Sequence, residues 1–486
     1  MLKEFLKNSG IYSVSNLLSR GIAFILVPFY TRVLTPADYG IIDFIAVIAM
    51  IAGTVFPLEI TQAVGRLFPD AKEPAKRQII ASNALYFSVF TLGIFLLGIE
   101  LFAKPLGTWL YEDADPYAWR VVQAAGVSIF AMKLFYVFQV QLQASIKPIK
   151  HALSSIAFSV ISLSLNVVFI LIMKTGVIGV FWAQSIAGAV ASLIAYSFSR
   201  ENYVFKLNLP MLREMLAYSL PLVPSGVGLF FLSYVDRIFI KSMLSLSELG
   251  LYGIGFRVAS LVSVLMAGMI TALTPLIYAS FRDDKTRDEL ARIFRLFLFV
   301  AVLVTGFLSL FGLEMLMLLT TPAYYGAAIV IPSLVVSTFL SQMYIFTPGL
   351  GIARKTGYLA TINIAGGVIN VILNWVLLQW LGILGAALAT LFSYMLIFSI
   401  NMYFSQKFYH VPHSPIILLR ALLFATLLIA VGYQLQLGSF WYTLGAKSVV
   451  FMFLPVLLIV NRLVRADEIK DFFTTLVRHL RPGQGG

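Results

Sequence analysis

Apolar runs of about 20 residues or more recur about fourteen times along this chain, and no other feature constrains its fold as strongly. A hydrocarbon core roughly 30 Å thick is crossed by about 20 helical residues, and a barrel strand would need about half that length. Inside a bilayer every backbone N–H and C=O must find its partner within the protein, so runs this long are helices. The blocks lie at roughly 9–33, 40–65, 79–102, 119–143, 151–173, 176–198, 213–240, 249–278, 294–318, 327–352, 357–380, 382–405, 415–436 and 441–462. Of the 486 residues 60% are hydrophobic and 12% charged, too apolar for a soluble domain. The expected fold class is an all-α polytopic membrane protein with about 14 transmembrane helices.

Between the spans the charge is one-sided. About 25 of the 35 Lys and Arg fall in the N-terminus, the tail and the connections after even-numbered spans, against about 7 in the opposite connections. By the positive-inside rule both termini are expected in the cytoplasm. The net charge of +13 is thus topological and argues against a nucleic-acid partner. Lys3 and Lys7 precede a first block lacking a small-residue cleavage site, so that block reads as a membrane helix and not a removable signal. The chain has no Cys, its 4 His fall at loops or helix ends, and it carries no phosphate-binding GxxxxGK[ST] loop. No metal, cofactor or catalytic residue is expected. Energy input would come from H+ or Na+ coupling, the substrate or a partner.

The chain also repeats itself. "LTPADYG" (34–40) returns as "LSLSELG" (244–250), "GVIGVFWA" (176–183) as "GILGAALA" (382–389), the Asn-Val pair at 166 as that at 370, and "ASIK" (144–147) as "IARK" (352–355). Each heptad offers a capping box, Thr35 with Asp38 and Ser245 with Glu248, followed by a glycine that permits close packing. Six spans per copy put both copies in the same orientation, a parallel repeat about an axis along the membrane normal. The expected organisation is an N-lobe over 1–200, a cytoplasmic linker over 201–212, a C-lobe over 213–408, two added helices over 409–464 and a cytoplasmic tail over 465–486. Lobes so repeated can rock about a central cavity. Pro221, Pro224 and Gly226 fall inside the seventh span and predict a kink there, read as a hinge or as static packing.

Three cations, Arg20, Lys133 and Arg257, remain inside the spans after the connections are assigned. Each costs at least about 2.5–3.5 kcal/mol at the bilayer centre. The acids Asp43, Asp236 and Glu314 lie near outer helix ends and Glu59 toward the cytoplasmic end of the second span, so a positive zone at mid-depth is expected. An anionic ligand would complete it, since Arg suits the multidentate contacts of a phosphate and Lys acts as a point charge. Gln139 could hydrogen-bond sugar hydroxyls, and Tyr136, one turn from Lys133, could stack on a sugar or simply pack. Asn370 and Asn374, one turn apart, could line the C-lobe cavity or bond neighbouring helices. Asp43 and Glu59 are candidate ion-coupling sites.

The stretch "NLLSRGIAFILVPFYTRVLTPADYGIIDF" (16–44) resembles the opening of the bacterial polysaccharide-transporter family, the Wzx-type oligosaccharide-lipid flippases, and the likeness extends over nearly the whole chain. That family sits in a superfamily with multidrug-and-toxin exporters and the lipid II flippase. The resemblance implies translocation of an undecaprenyl-diphosphate-linked repeat unit across the bacterial cytoplasmic membrane by alternating access through a cationic cavity, in company with membrane lipids and glycan-assembly proteins. It also implies that Arg20 in "LLSRGIAF" and Arg257 in "YGIGFRVASLV" occupy positions where lipid II flippases keep functional arginines. Where that branch carries an acid late in the first span, this chain has Pro28 and Phe29, which speaks against lipid II as cargo. Two other readings stand beside this one. A drug or organic-cation antiporter would need acids at mid-depth. A glycan polymerase or ligase would need a large external loop.

Overall fold

The computed structural model describes residues 21, 24–111, 116–353, 355–435, 437–464 and 468, without the side chains of a few further residues within helices. Arg20 and most of the tail lie outside the described residues. Among those described, regular structure is helical throughout, with no strand. Eleven helices are long and apolar enough to cross a membrane, and two shorter apolar helices, Phe24–Val33 and Ile416–Gly432, fall where the first and thirteenth spans are expected. The chain is a multi-pass membrane protein.

Two compact units are present, Met1–Ile254 with Leu319–Tyr324 and Asn363–Ala386, and Gly255–Leu318 with Tyr325–Ile362 and Ala387–Gly486. The first unit runs from α1 (Phe24–Val33) through α2 (Pro36–Val55), α3 (Ile60–Asp70), α4 (Pro74–Leu101), α5 (Ala103–Leu110), α6 (Ala118–Ala144), α7 (Pro148–Asn166), α8 (Val177–Ser199) and α9 (Leu209–Ser219) to α10 (Val223–Met243) and most of α11 (Leu246–Ala259). In the second lie α12 (Leu261–Ser280), α13 (Asp284–Leu310), most of α14 (Gly312–Leu319), α15 (Ile331–Gln342) and α16 (Gly349–Ile352). Helix α17 (Thr356–Leu381) belongs chiefly to the first unit; α18 (Ile383–Phe408), α19 (Pro415–Gln434) and α20 (Phe440–Val460) belong chiefly to the second.

Several spans expected as single helices are interrupted, each for a local reason. The second span breaks between α2 and α3 at "FPLE" (56–59), where Pro57 cannot donate a helical hydrogen bond and both Leu58 (φ 50°) and Glu59 (φ 53°) turn left-handed. The seventh breaks at a 3₁₀ turn, Leu220–Leu222, so the kink predicted from Pro221 and Pro224 is present, with Pro224 in the first turn of α10. α7 runs into a π-helical segment, Val167–Ile172, and the eighth span divides at Ser260.

Both heptads do what their residues predict. Thr35 and Asp38 close a complete capping box at the start of α2, and the Ser245 hydroxyl accepts from the Glu248 N–H at 3.1 Å at the start of α11. The two helix starts then cross each other. A methyl group on Gly40 would overlap the Leu246 carbonyl, one on Gly250 would overlap the Pro36 carbonyl, and a Cβ on Gly250 would lie only 3.0 Å from the Gly40 nitrogen. Any larger residue at either position would force the backbones apart. The duplicated motif is thus one self-complementary contact written once in each half of the repeat.

Candidate functional site

The break after α2 positions Glu59. Because Leu58 and Glu59 adopt left-handed backbone, the chain swings off the helical path and the Glu59 carboxylate approaches α10, where a Cβ on Gly226 would sit 3.1 Å from Oε1. Non-glycine residues at positive φ cost about 1–3 kcal/mol each and persist only where the surroundings impose them. The Lys133 side chain, on α6, lies along α2 over Gly53, whose missing side chain makes room for its ammonium. Both charges stand 11 residues before the C-terminal ends of α3 and α6, Asp70 and Ala144, or about 16 Å at 1.5 Å per residue.

Glu59 is the acid whose charge acts on Lys133, and it acts on Tyr136 as well. Neither Lys133 nor Glu59 makes a side-chain hydrogen bond or direct ion pair among the described residues. The expectation that Lys133 stands without a nearby acid is therefore corrected. The second span is broken at Pro57, and the left-handed turn there sets Glu59 against Gly226 of α10. Tyr136, half-exposed, lies one turn along α6 from Lys133.

The other predicted residues are placed as follows. Gln139 is buried and donates to the Ser154 hydroxyl at 3.0 Å, tying α6 to α7. Asn370 is 1% exposed and accepts from Asn374, one turn on in the same helix, at 3.1 Å. Asp43 accepts from the Arg237 Nε at 2.9 Å. Arg257 sits half-buried in the last turn of α11, within the second unit, while Lys133 and Glu59 belong to the first. Pro221 and Pro224 flank the 3₁₀ turn, and Gly226 faces Glu59.

Two charged groups that the sequence assigns to outer connections are instead deep in the protein. Arg237 is 2% exposed, held by Asp43 on α2 and by Asp236 beside it at 3.1 Å, while the Tyr252 hydroxyl donates to Asp236. Lys447 is 1% exposed and pairs with Glu314 at 2.6 Å. One available signal is the helical register of Arg237, six residues before Met243 ends α10. That position lies more than a turn inside the helix, beyond a connection proper.

A helical fold with a broken second span and a kinked seventh defines a class of multi-pass membrane protein. The fold agrees with solved structures of that class. The lipid II flippase MurJ in an inward closed conformation superposes with a TM-score of 0.71 at 14% identity, covering 93% of this chain and 99% of that one. An inward-facing multidrug resistance MATE family transporter of the MOP superfamily superposes with a TM-score of 0.62 at 17% identity, covering 80% and 94%. In sequence the chain is 18% identical over 464 residues to the probable low-salt glycan biosynthesis flippase Agl15 of Haloferax volcanii, spanning 91% of this chain and 95% of that protein. Residues 5–281 match the polysaccharide biosynthesis protein family, and the chain belongs to that family. The resemblance drawn from residues 16–44 holds, and the family is of flippase and transporter type.

Proposed function

We propose that this protein flips an anionic lipid-linked oligosaccharide, of the undecaprenyl-diphosphate type, across the bacterial cytoplasmic membrane by alternating access, with both termini in the cytoplasm. The observation that carries the reading is the Lys133–Glu59 couple. A mid-membrane ammonium whose acid stands close enough to act on it but outside direct contact suits an anion that arrives and leaves. A buried cation locked in a contact pair would have to break that pair first. In this reading the diphosphate binds Lys133, with Arg20 and Arg257 contributing as the family resemblance implies, and the glycan is bound by the lobes while its lipid tail stays in the bilayer.

Glu59 then supplies the coupling. A coupling cation, H+ or Na+, taken up at its carboxylate would offset the negative charge that the diphosphate meets beside its lysine. Asp43, bonded to Arg237, is the less available of the two coupling candidates. An organic-cation antiporter is the competing reading, favoured by the MATE-like fold and by Glu59 as an acid at depth.

Reconstitution in liposomes with a lipid-diphosphate oligosaccharide tests the proposal. Lys133→Ala, Arg20→Ala and Arg257→Ala should each slow translocation about tenfold or more, as expected for loss of a charge-assisted phosphate contact. Glu59→Gln should bind the head group more tightly and lose the dependence of translocation on the coupling-ion gradient. Parent-like translocation by all four variants, or exchange of an organic cation with no movement of the lipid, would refute it.

A further inference from the structure

Helix α4 carries polar side chains where its hydrocarbon span begins. Counted back from its end at Leu101, the roughly 20 residues that cross a hydrocarbon core start at Ser82. Ser82 and Asn83, both 0% exposed, and Tyr86 therefore stand at the edge of that core on the side of the basic connections, with Gln78 one turn before it. All four bind the backbone of one segment, the linker between the two sequence repeats. Gln78 donates to the Glu201 carbonyl at 2.9 Å, the Ser82 hydroxyl accepts from the Val204 N–H at 2.8 Å, and the Tyr86 hydroxyl donates to the Val204 carbonyl at 3.0 Å. Asn83 holds Asn208 with both of its groups, donating to the carbonyl at 2.8 Å and accepting from the N–H at 3.0 Å.

The linker, without helix or strand from Tyr203 to Asn208, is thus inlaid along α4. A peptide chain in water needs no such partners, whereas at the edge of a hydrocarbon core they have to come from the protein. What the linker turns outward fits the same depth. Phe205 is 101% exposed, Leu207 51% and Leu209 66%, three apolar side chains at alternate positions. Phe205 lies edge to face with Tyr86, ring centroids 6.0 Å apart, and Tyr86 is the one of the four α4 residues furthest into the span. Exposed Lys206 lies between Phe205 and Leu207. Around it, the linker, the start of α9 and the connection after α6 carry Lys147, Lys150, Arg200 and Arg213 against Glu201 and Glu214, and Lys147 pairs with Glu201.

We propose that residues 204–209 are seated in the leaflet on the side of the basic connections, at the boundary of head groups and acyl chains, where Phe205, Leu207 and Leu209 contact acyl chains and Lys206 meets the phosphates of anionic phospholipids. α4 supplies the hydrogen bonds that water cannot, and lipid covers the apolar side chains that the protein leaves bare. The long Lys206 stem reaches back to the head groups. The linker is then a lipid contact of the first repeat and not a tether free in water. This contact stands whatever the cargo is, and it is tested without translocation.

Because the chain has no Cys, a thiol introduced at one position carries a fluorophore alone. Phe205→Cys labelled with bimane is reconstituted in vesicles of phosphatidylcholine and phosphatidylglycerol and quenched by nitroxide lipids or by aqueous iodide. Lys72→Cys, exposed between α3 and α4, is the water reference, and Phe90→Cys, 67% exposed one turn past Tyr86, is the lipid reference. The label at 205 should be quenched by a nitroxide placed near the head group, and by iodide about fivefold or more weakly than at Lys72→Cys. Nitroxide phosphatidylglycerol should quench it about twofold or more better than nitroxide phosphatidylcholine, and Lys206→Gln should reduce that preference. Asn83→Ala should raise iodide quenching at 205 and leave Phe90→Cys at its parent value; should it disturb Phe90→Cys as well, Tyr86→Phe, which removes a single bond, takes its place. Iodide quenching equal to that at Lys72→Cys would put the linker in water and overturn the proposal. Protection from both quenchers would mean that protein covers the segment, which overturns it equally. Equal quenching by the two lipids, or a preference unmoved by Lys206→Gln, would remove the anionic phospholipid, and iodide quenching unmoved by loss of the α4 bonds would remove the role of α4.

Discussion

At the scale of single residues, His413 shows how a polar side chain outside the membrane-spanning helices is made sensitive to acid. It lies between α18 and α19, its Nε2 donates to the Phe346 carbonyl at 3.3 Å, and its ring packs 4.4 Å from that of Phe294. Burial pushes its pKa down from 6.5 to about 4; His410 and Arg295 press the same way and the Phe346 carbonyl opposes them. The folded protein therefore keeps the ring neutral in a range where the unfolded chain binds a proton. Its contribution, up to about 3 kcal/mol, is complete above the unfolded value and is lost as pH falls from about 6.5 toward about 4. The thermal-unfolding midpoint of the parent should drop more between about pH 7 and about pH 4.5 than that of His413→Gln, which has no ring to titrate. Equal acid sensitivity in the two chains would contradict this account.

At the scale of elements, the interruptions of the spans are what place chemistry in the protein. The break in the second span sets Glu59 against Gly226 of α10, and an unbroken seventh would make α9 and α10 one rod. The α2–α11 crossing is equally an element property, since it depends on two backbones meeting with no side chain between them. Gly40→Ala inserts a methyl where the Leu246 carbonyl stands, and the neighbour is backbone, which cannot rotate away. We expect a loss of about 1–3 kcal/mol in thermal unfolding, the usual cost of overpacking. Gly65→Ala, with open space around the added methyl, is the matched control and should stay near the parent. A Gly40→Ala protein as stable as that control would show that the crossing is not tight.

At the scale of the whole molecule, the two helices appended to the repeat are fastened to the second unit. α19 packs along α13, with Gly432 against Ser309 and Leu310, and Gly306 faces Leu428 and Leu454. The Lys447–Glu314 pair adds a bond from α20 to α14 that is 1% and 4% exposed at its two ends. Glu314→Gln leaves an ammonium without its carboxylate in a dry site and should cost about 3–5 kcal/mol in thermal unfolding; the apolar double variant Glu314→Leu/Lys447→Met should recover most of that. Additive losses in the double variant would mean that the two charges do not interact.

What the sequence determined by itself is everything that depends on near neighbours along the chain. Hydrophobic length set the helical class, Thr35 and Ser245 marked helix starts, Pro221 and Pro224 lay where the seventh span kinks, and the fragment around Arg20 carried the family likeness. Partners brought together by folding were not legible in the same way. Asp43 and Arg237 are 194 residues apart, and Glu314 and Lys447 are 133 apart. Counting depth along ideal helices assigned Arg237 and Lys447 to the outside and left Lys133 without an acid. Only the tertiary structure decided these, because a helix satisfies its own backbone locally, whereas a charge in a low-dielectric interior is compensated by whatever the fold delivers to it.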